Sequence, residues 1–152
     1  MHESCGIFGV YARDVDVARL TFFALYALQH RGQESAGIAA ADGDAICIHT
    51  AMGLVSQAFN EEILSQLTGH IAIGHNRYST TGSCQPINAQ PIIVKNDSFT
   101  MALGHNGNIV NAKILRDELI AQGCSFSSST DSEVIANLIL ASTEKDLISK
   151  IR

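Results

Sequence analysis

Residues 35–53 read SAGIAAADGDAICIHTAMG. Two apolar runs flank Asp42-Gly43, a dipeptide that tolerates the positive φ of a tight turn, so the stretch predicts an antiparallel β-hairpin. On its N-terminal side, CGIFGVYA (5–12) predicts a strand. Between the two, DVARLTFFALYALQHRG (16–32) places Leu20, Phe23, Ala24, Ala27 and Leu28 at helical spacing. Asp14 or Asp16 is the candidate N-cap, and His30 and Arg31 precede Gly32 at the end. On the C-terminal side, SQAFNEEILSQL (56–67) predicts a short helical stretch, and HIAIGHNRYSTTGSCQ (70–85) a strand that breaks into a Ser/Thr/Gly loop. PIIVKNDSFTMALGHNG (91–107) predicts a second hairpin about Asn96-Asp97, and NAKILRDELIAQG (111–123) a helix stopped by Gly123. In STDSEVIANLILAST (129–143), the spacing from Thr130 to Glu133 is a capping-box pattern that starts another helix. Hairpins interleaved with helices predict an α+β layered domain with mostly antiparallel sheets.

The composition supports one globular domain: of 152 residues, 46% are hydrophobic and only 16% charged, enough to build a core. A net charge of −5 with only 10 Lys and Arg argues against a nucleic-acid partner, whose phosphates require clustered cations. No apolar run approaches the roughly 18 residues of a membrane span, and no basic segment precedes an apolar one at the start. No membrane partner is expected, and the cytoplasm is the expected location. Cys5, Cys47, Cys84 and Cys124 form no C-x-x-C pair, which disfavours a zinc knuckle and supplies no disulfide framework.

Polar groups interrupt the apolar strands at two points, His75-Asn76-Arg77 and Gly104-His105-Asn106-Gly107. Sheet ends of this kind present polar atoms to a ligand. Taken singly, each has a plain structural reading. Asn106-Gly107 is an ordinary turn dipeptide, Arg77 a surface ion-pair partner, and Cys5 a small strand hydrophobe. A Cys–His pair joining Cys5 to His30, His75 or His105 is also open, and would suit a thiol peptidase.

Together, CGIFGV, LQHRGQESAGI, GHNRYSTTG, GHNGNIVNA and TDSE occur in the order found in class II glutamine amidotransferases, and the chain resembles that family from Cys5 to its last helix. LQHRGQESAG and RYSTTG are similar to the branch that aminates phosphoribosyl pyrophosphate. Glucosamine-6-phosphate synthases, the alternative branch, carry other residues at Gln29-His30, Glu34 and Tyr78.

The resemblance implies an αββα N-terminal nucleophile hydrolase sandwich, truncated here at its C-terminal end. It implies that Met1 to Ser4 are a propeptide and that residues 5–152 are a glutaminase domain. Once freed, the α-amine of Cys5 would act as general base toward its own thiol, since the ordinary values of an α-amine, about 7.7–8.0, and of a thiol, about 8.5, lie close together and proton exchange between such groups costs little. Glutamine would yield glutamate and ammonia, the ammonia passing to a phosphoribosyltransferase domain that this sequence lacks, in the first step of purine synthesis. The implied roles are nucleophile for Cys5 and oxyanion donors for Asn106 and Gly107. Arg77 and Thr80 would take the substrate carboxylate and Asp131 its ammonium, with Arg31 and Gly32 holding the segment around the nucleophile's amine. YSTTGSCQ would form a lid. No cofactor is expected within these residues. The full-length enzyme would use Mg2+ for phosphoribosyl pyrophosphate and form a homo-oligomer, and some relatives carry an iron–sulfur cluster. A non-catalytic remnant of the fold is the remaining alternative.

Overall fold

The computed structural model describes residues 5–78, 84–96 and 100–151. Strands β1 (Gly6–Tyr11), β2 (Ser35–Ala41), β3 (Ile46–Met52) and β4 (Ile71–Arg77) form one sheet in the order β1-β4-β2-β3, with every pairing antiparallel. Strands β5 (Ile92–Lys95) and β6 (Thr100–Leu103) form a second antiparallel pair. The helices are α1 (Val17–Ala27), α2 (Val55–Ala58), α3 (Glu61–Gln66), α4 (Ala112–Ala121), α5 (Asp131–Ala141) and α6 (Leu147–Ile151).

The layers follow from the apolar faces. Helix α1 packs across β1, β4 and β2, while α5 packs on β5 and β6 with α4 beside it, and β3 touches β6 where the sheets meet. Strand β2 is buried from Ser35 to Ala40 without alternation, as expected of a central strand covered on both faces. Its small side chains let both neighbours approach. One core joins Val17, Leu25, Ile38, Val55 and Phe59 on the α1 side, and a second joins Val94, Met101, Ala136 and Ile139 under α5. The expected α+β class and the element order both hold.

Local chemistry refines four expectations. The first hairpin turns over four residues, because the Asp42 carboxylate accepts from the N–H of Asp44 and of Ala45, both at 2.9 Å. Residues 56–67 form parts of two helices rather than one, since Asn60 stays extended and its side chain caps α3 by accepting from Ile63 N–H at 2.8 Å. Asp16, not Asp14, caps α1, which ends at Ala27 and tightens into a 3-10 turn over Gln29–Arg31 before Gly32. The Thr130 hydroxyl caps α5 through Glu133 N–H at 3.3 Å, but the Glu133 carboxylate turns away from Thr130 to Ser127 and Ser128. Asp97 of the expected second turn lies outside the described residues.

Candidate active site

Cys5 directly precedes β1, and the pairing of Gly6 with Asn76 brings it level with the end of β4. Its sulfur accepts from Tyr78 N–H and its thiol faces the Tyr78 carbonyl, each at 3.4 Å. Among the described residues no histidine hydrogen-bonds to this thiol, so the Cys–His pairing left open by the sequence is not formed. The 3-10 turn after α1 supplies a second anchor: Arg31 Nε donates to the Cys5 carbonyl at 3.3 Å. That contact reaches the carbonyl of the residue rather than its amine. Gln29 steadies the turn, donating to Gly32 O at 2.6 Å and accepting from Val55 N–H at 2.7 Å. A Cβ on Gly32 would stand 2.7 Å from backbone atoms of Asn76 and Arg77, so only glycine lets the turn lie against β4.

Arg77 ends β4 opposite Ser35 and is 3% exposed. Its guanidinium pairs with the Glu34 carboxylate, and a charge so deeply buried requires such partners. In the sequence Glu34 stands out only as a position that separates the two branches, with no role at the site. The pairing arises from sheet register, and nothing local to either residue signals it.

The far wall comes from the second sheet and α5. The loop after β6 carries His105, Asn106 and Gly107, and the N-terminus of α5 carries Asp131 and Ser132. Asp131 accepts from Ile109 N–H at 2.9 Å, which ties the loop to the helix. Cys5, Arg77, Gly107 and Asp131 line one polar cavity of about 20 Å³, closed in by Gln90, His105 and Ser132. That space holds about one water. Asn106 is exposed and is not among the described residues that line the cavity. Thr80, the expected lid and residues 1–4 lie outside the described residues.

His75 lies beneath the loop, fully buried, with Nε2 3.0 Å from the His105 carbonyl, to which it donates. Burial, with the nearby charges of Arg77 and His105, pushes its pKa down to about 4 although the His105 hydrogen bond opposes the shift, so the ring is neutral at physiological pH. Among the described residues no three His, Cys, Asp or Glu side chains gather as a metal-binding group. No helix among them is long and apolar enough to cross a membrane. A nucleophilic sulfur, a guanidinium, a carboxylate and a loop glycine around one cavity are groups suited to acyl transfer from a charged ligand.

Comparison with known proteins gives a consistent set of matches. Residues 60–152 match the family model described as a glutamine amidotransferase domain. The chain is 54% identical over 138 residues to an amidophosphoribosyltransferase of Synechococcus elongatus, covering 91% of this chain and 28% of that protein. It is 52% identical over 143 residues to one of Mycobacterium tuberculosis, covering 90% and 27%. Among solved structures, glutamine phosphoribosylpyrophosphate amidotransferase of B. subtilis, complexed with ADP and GMP, superposes with a TM-score of 0.85 at 40% identity, over 95% of this chain and 31% of that one. A structure described as the allosteric regulatory enzyme of purine biosynthesis superposes at 0.87, also at 40% identity. The expected N-terminal nucleophile sandwich is thus the fold observed. The chain spans less than a third of the length of these relatives.

Proposed function

We propose, for a chain that belongs to the glutamine amidotransferase domain family, that it hydrolyses glutamine through Cys5 and forms the ammonia-producing part of an amidophosphoribosyltransferase. The observation that carries this reading is the convergence of Cys5, Arg77, Gly107 and Asp131, from four separate segments, on one cavity. With residues 1–4 removed, the free α-amine of Cys5 takes the thiol proton, and the sulfur attacks the γ-amide carbon of glutamine. The tetrahedral oxyanion is stabilised by Asn106 and the Gly107 N–H. As it collapses, the α-ammonium of Cys5 returns its proton to the leaving nitrogen, so that ammonia departs and a γ-glutamyl thioester remains, which water cleaves to glutamate, regenerating the thiol. Arg77 takes the substrate carboxylate and Asp131 its ammonium, the two charges that distinguish glutamine from a simple amide. Thr80 assists Arg77, while Arg31 and Gly32 hold the nucleophile's segment.

In the whole protein, a phosphoribosyltransferase domain uses the ammonia to convert phosphoribosyl pyrophosphate to phosphoribosylamine. Intact mass and N-terminal sequencing of glutaminase-active protein should show Cys5 as its first residue. Full activity in a chain that retains residues 1–4 would exclude the amine as base. Cys5→Ser should lose glutamine hydrolysis, because a hydroxyl ionises far less than a thiol near neutral pH. The 152-residue chain alone should release no pyrophosphate from phosphoribosyl pyrophosphate, and release that depends on that acceptor would overturn the division of labour.

A further inference from the structure

Every polar backbone atom of His105 is taken. Its N–H donates to Gln90 Oε1 at 2.8 Å, and its carbonyl accepts from His75 Nε2 at 3.0 Å. Its ring Nδ1 lies 3.2 Å from Ser132 Oγ, and Gln90 Nε2 donates to that same hydroxyl at 3.0 Å. The hydroxyl therefore receives the amide proton and has its own proton left for Nδ1, which leaves the ring's Nε2 end turned toward Gly107. A Cβ on Gly107 would stand 2.6 Å from that nitrogen. The imidazole thus occupies the space beside Gly107, and two side chains outside the loop set where the imidazole sits. Ser132 is 1% exposed and Gln90 5%, so neither bond competes with bulk water.

We infer that Gln90 and Ser132 are positioning residues of the oxyanion loop: through His105 they hold Gly107 where its N–H meets the charge that develops on the glutamine carbonyl. The inference rests on the reading proposed above. Neither side chain need touch the reacting atoms. Their effect belongs to the transition state, because an oxyanion donor works only if it is aimed before the charge appears.

The test uses the full-length protein with Cys5 exposed. Ser132→Ala and Gln90→Met should each lower kcat for glutamine hydrolysis about tenfold, the cost of misaiming rather than deleting one donor, and leave KM within about twofold. Ser132→Thr, which keeps the hydroxyl, should restore kcat. A second readout is affinity for the aldehyde analogue of glutamine. The Cys5 sulfur adds to its carbonyl carbon, the C=O π pair moves to oxygen, and the resulting hemithioacetal carries an oxyanion. Its affinity should fall in proportion to kcat, whereas affinity for glutamate, which develops no such charge, should hold. A loss of fold alone would weaken both ligands together and lower the melting temperature; that result, or variants that match the wild type in kcat and aldehyde affinity, would overturn the inference. An inactive wild type would instead remove the glutaminase reading itself.

Discussion

Arg77 carries its charge at 3% exposure, and Glu34 supplies a part-buried counter-charge. Removing one partner of such a pair costs about 3–5 kcal/mol, because the other charge is stranded away from water. Substitutions that read out binding should therefore preserve the packing. Arg77→Lys keeps a cation beside Glu34 but loses the planar fork, and Asp131→Asn keeps an acceptor for Ile109 N–H but loses the charge. Both should raise KM for glutamine and weaken discrimination against simple amides, with kcat much less affected. Asn106→Ala should instead lower kcat by about 10²–10³ with little change in KM, as expected for an oxyanion donor. Steady-state kinetics separates the two patterns. If Asn106→Ala changed only KM, that side chain would return to being an exposed turn residue, which is where the fold leaves it.

Helix α5 shows how an element delivers a site. Its first residues carry Asp131 and Ser132, and its start is set by the Thr130 cap and by Glu133. The Glu133 carboxylate accepts from the N–H of Ser127 and of Ser128, both at 2.7 Å, and from both hydroxyls. Burial pushes its pKa up, but these hydrogen bonds outweigh burial and hold it below the usual 4.5. A depressed carboxylate stabilises the fold above its unfolded value and loses that contribution as pH falls through its folded one. Glu133→Gln, which sets an NH2 donor against these donors, should cost about 1–3 kcal/mol near pH 7. The gap from wild type should narrow as pH drops below 4.5, measured by urea unfolding at several pH values. The Ser/Thr-x-x-Glu signal located this helix start correctly, yet the glutamate serves the preceding serines. Spacing identifies a candidate cap, whereas the path of the chain before it decides which N–H groups need an acceptor.

At the scale of the whole molecule, His75 in β4 reaches the His105 carbonyl, which follows β6, and so links the two sheets at the site. An unfolded chain would protonate this ring near 6.5, whereas the folded one resists until about 4. Between those values the unfolded state binds more protons, so stability should fall as pH drops from about 6.5 to about 4, by up to about 3 kcal/mol. Chemical denaturation across this range should show the loss, and His75→Gln should flatten it. An unchanged slope in that variant would place the acid sensitivity elsewhere.

Most elements were legible in the sequence, although the break at Asn60 within 56–67 and helix α6 were not. Alternation of apolar residues, Asp42-Gly43, Asp16 and the Thr130 cap act within a few residues of where they stand, so a short window contains their physics. Of the residues that the motifs point to, Cys5, Arg77, Gly107 and Asp131 line the cavity, whereas Asn106 does not and Gln90, which does, belongs to no motif. What only the tertiary structure decided is which side chains meet: Glu34 with Arg77 across 43 positions, Ser132 with His105 across 27 and Gln90 with Ser132 across 42. It also placed the Cys5 thiol on the Tyr78 backbone, 73 residues away. Those meetings depend on strand register and on the stacking of one sheet over the other. Register follows from burying one whole face of each strand at once, a sum over the core that no single stretch of sequence contains.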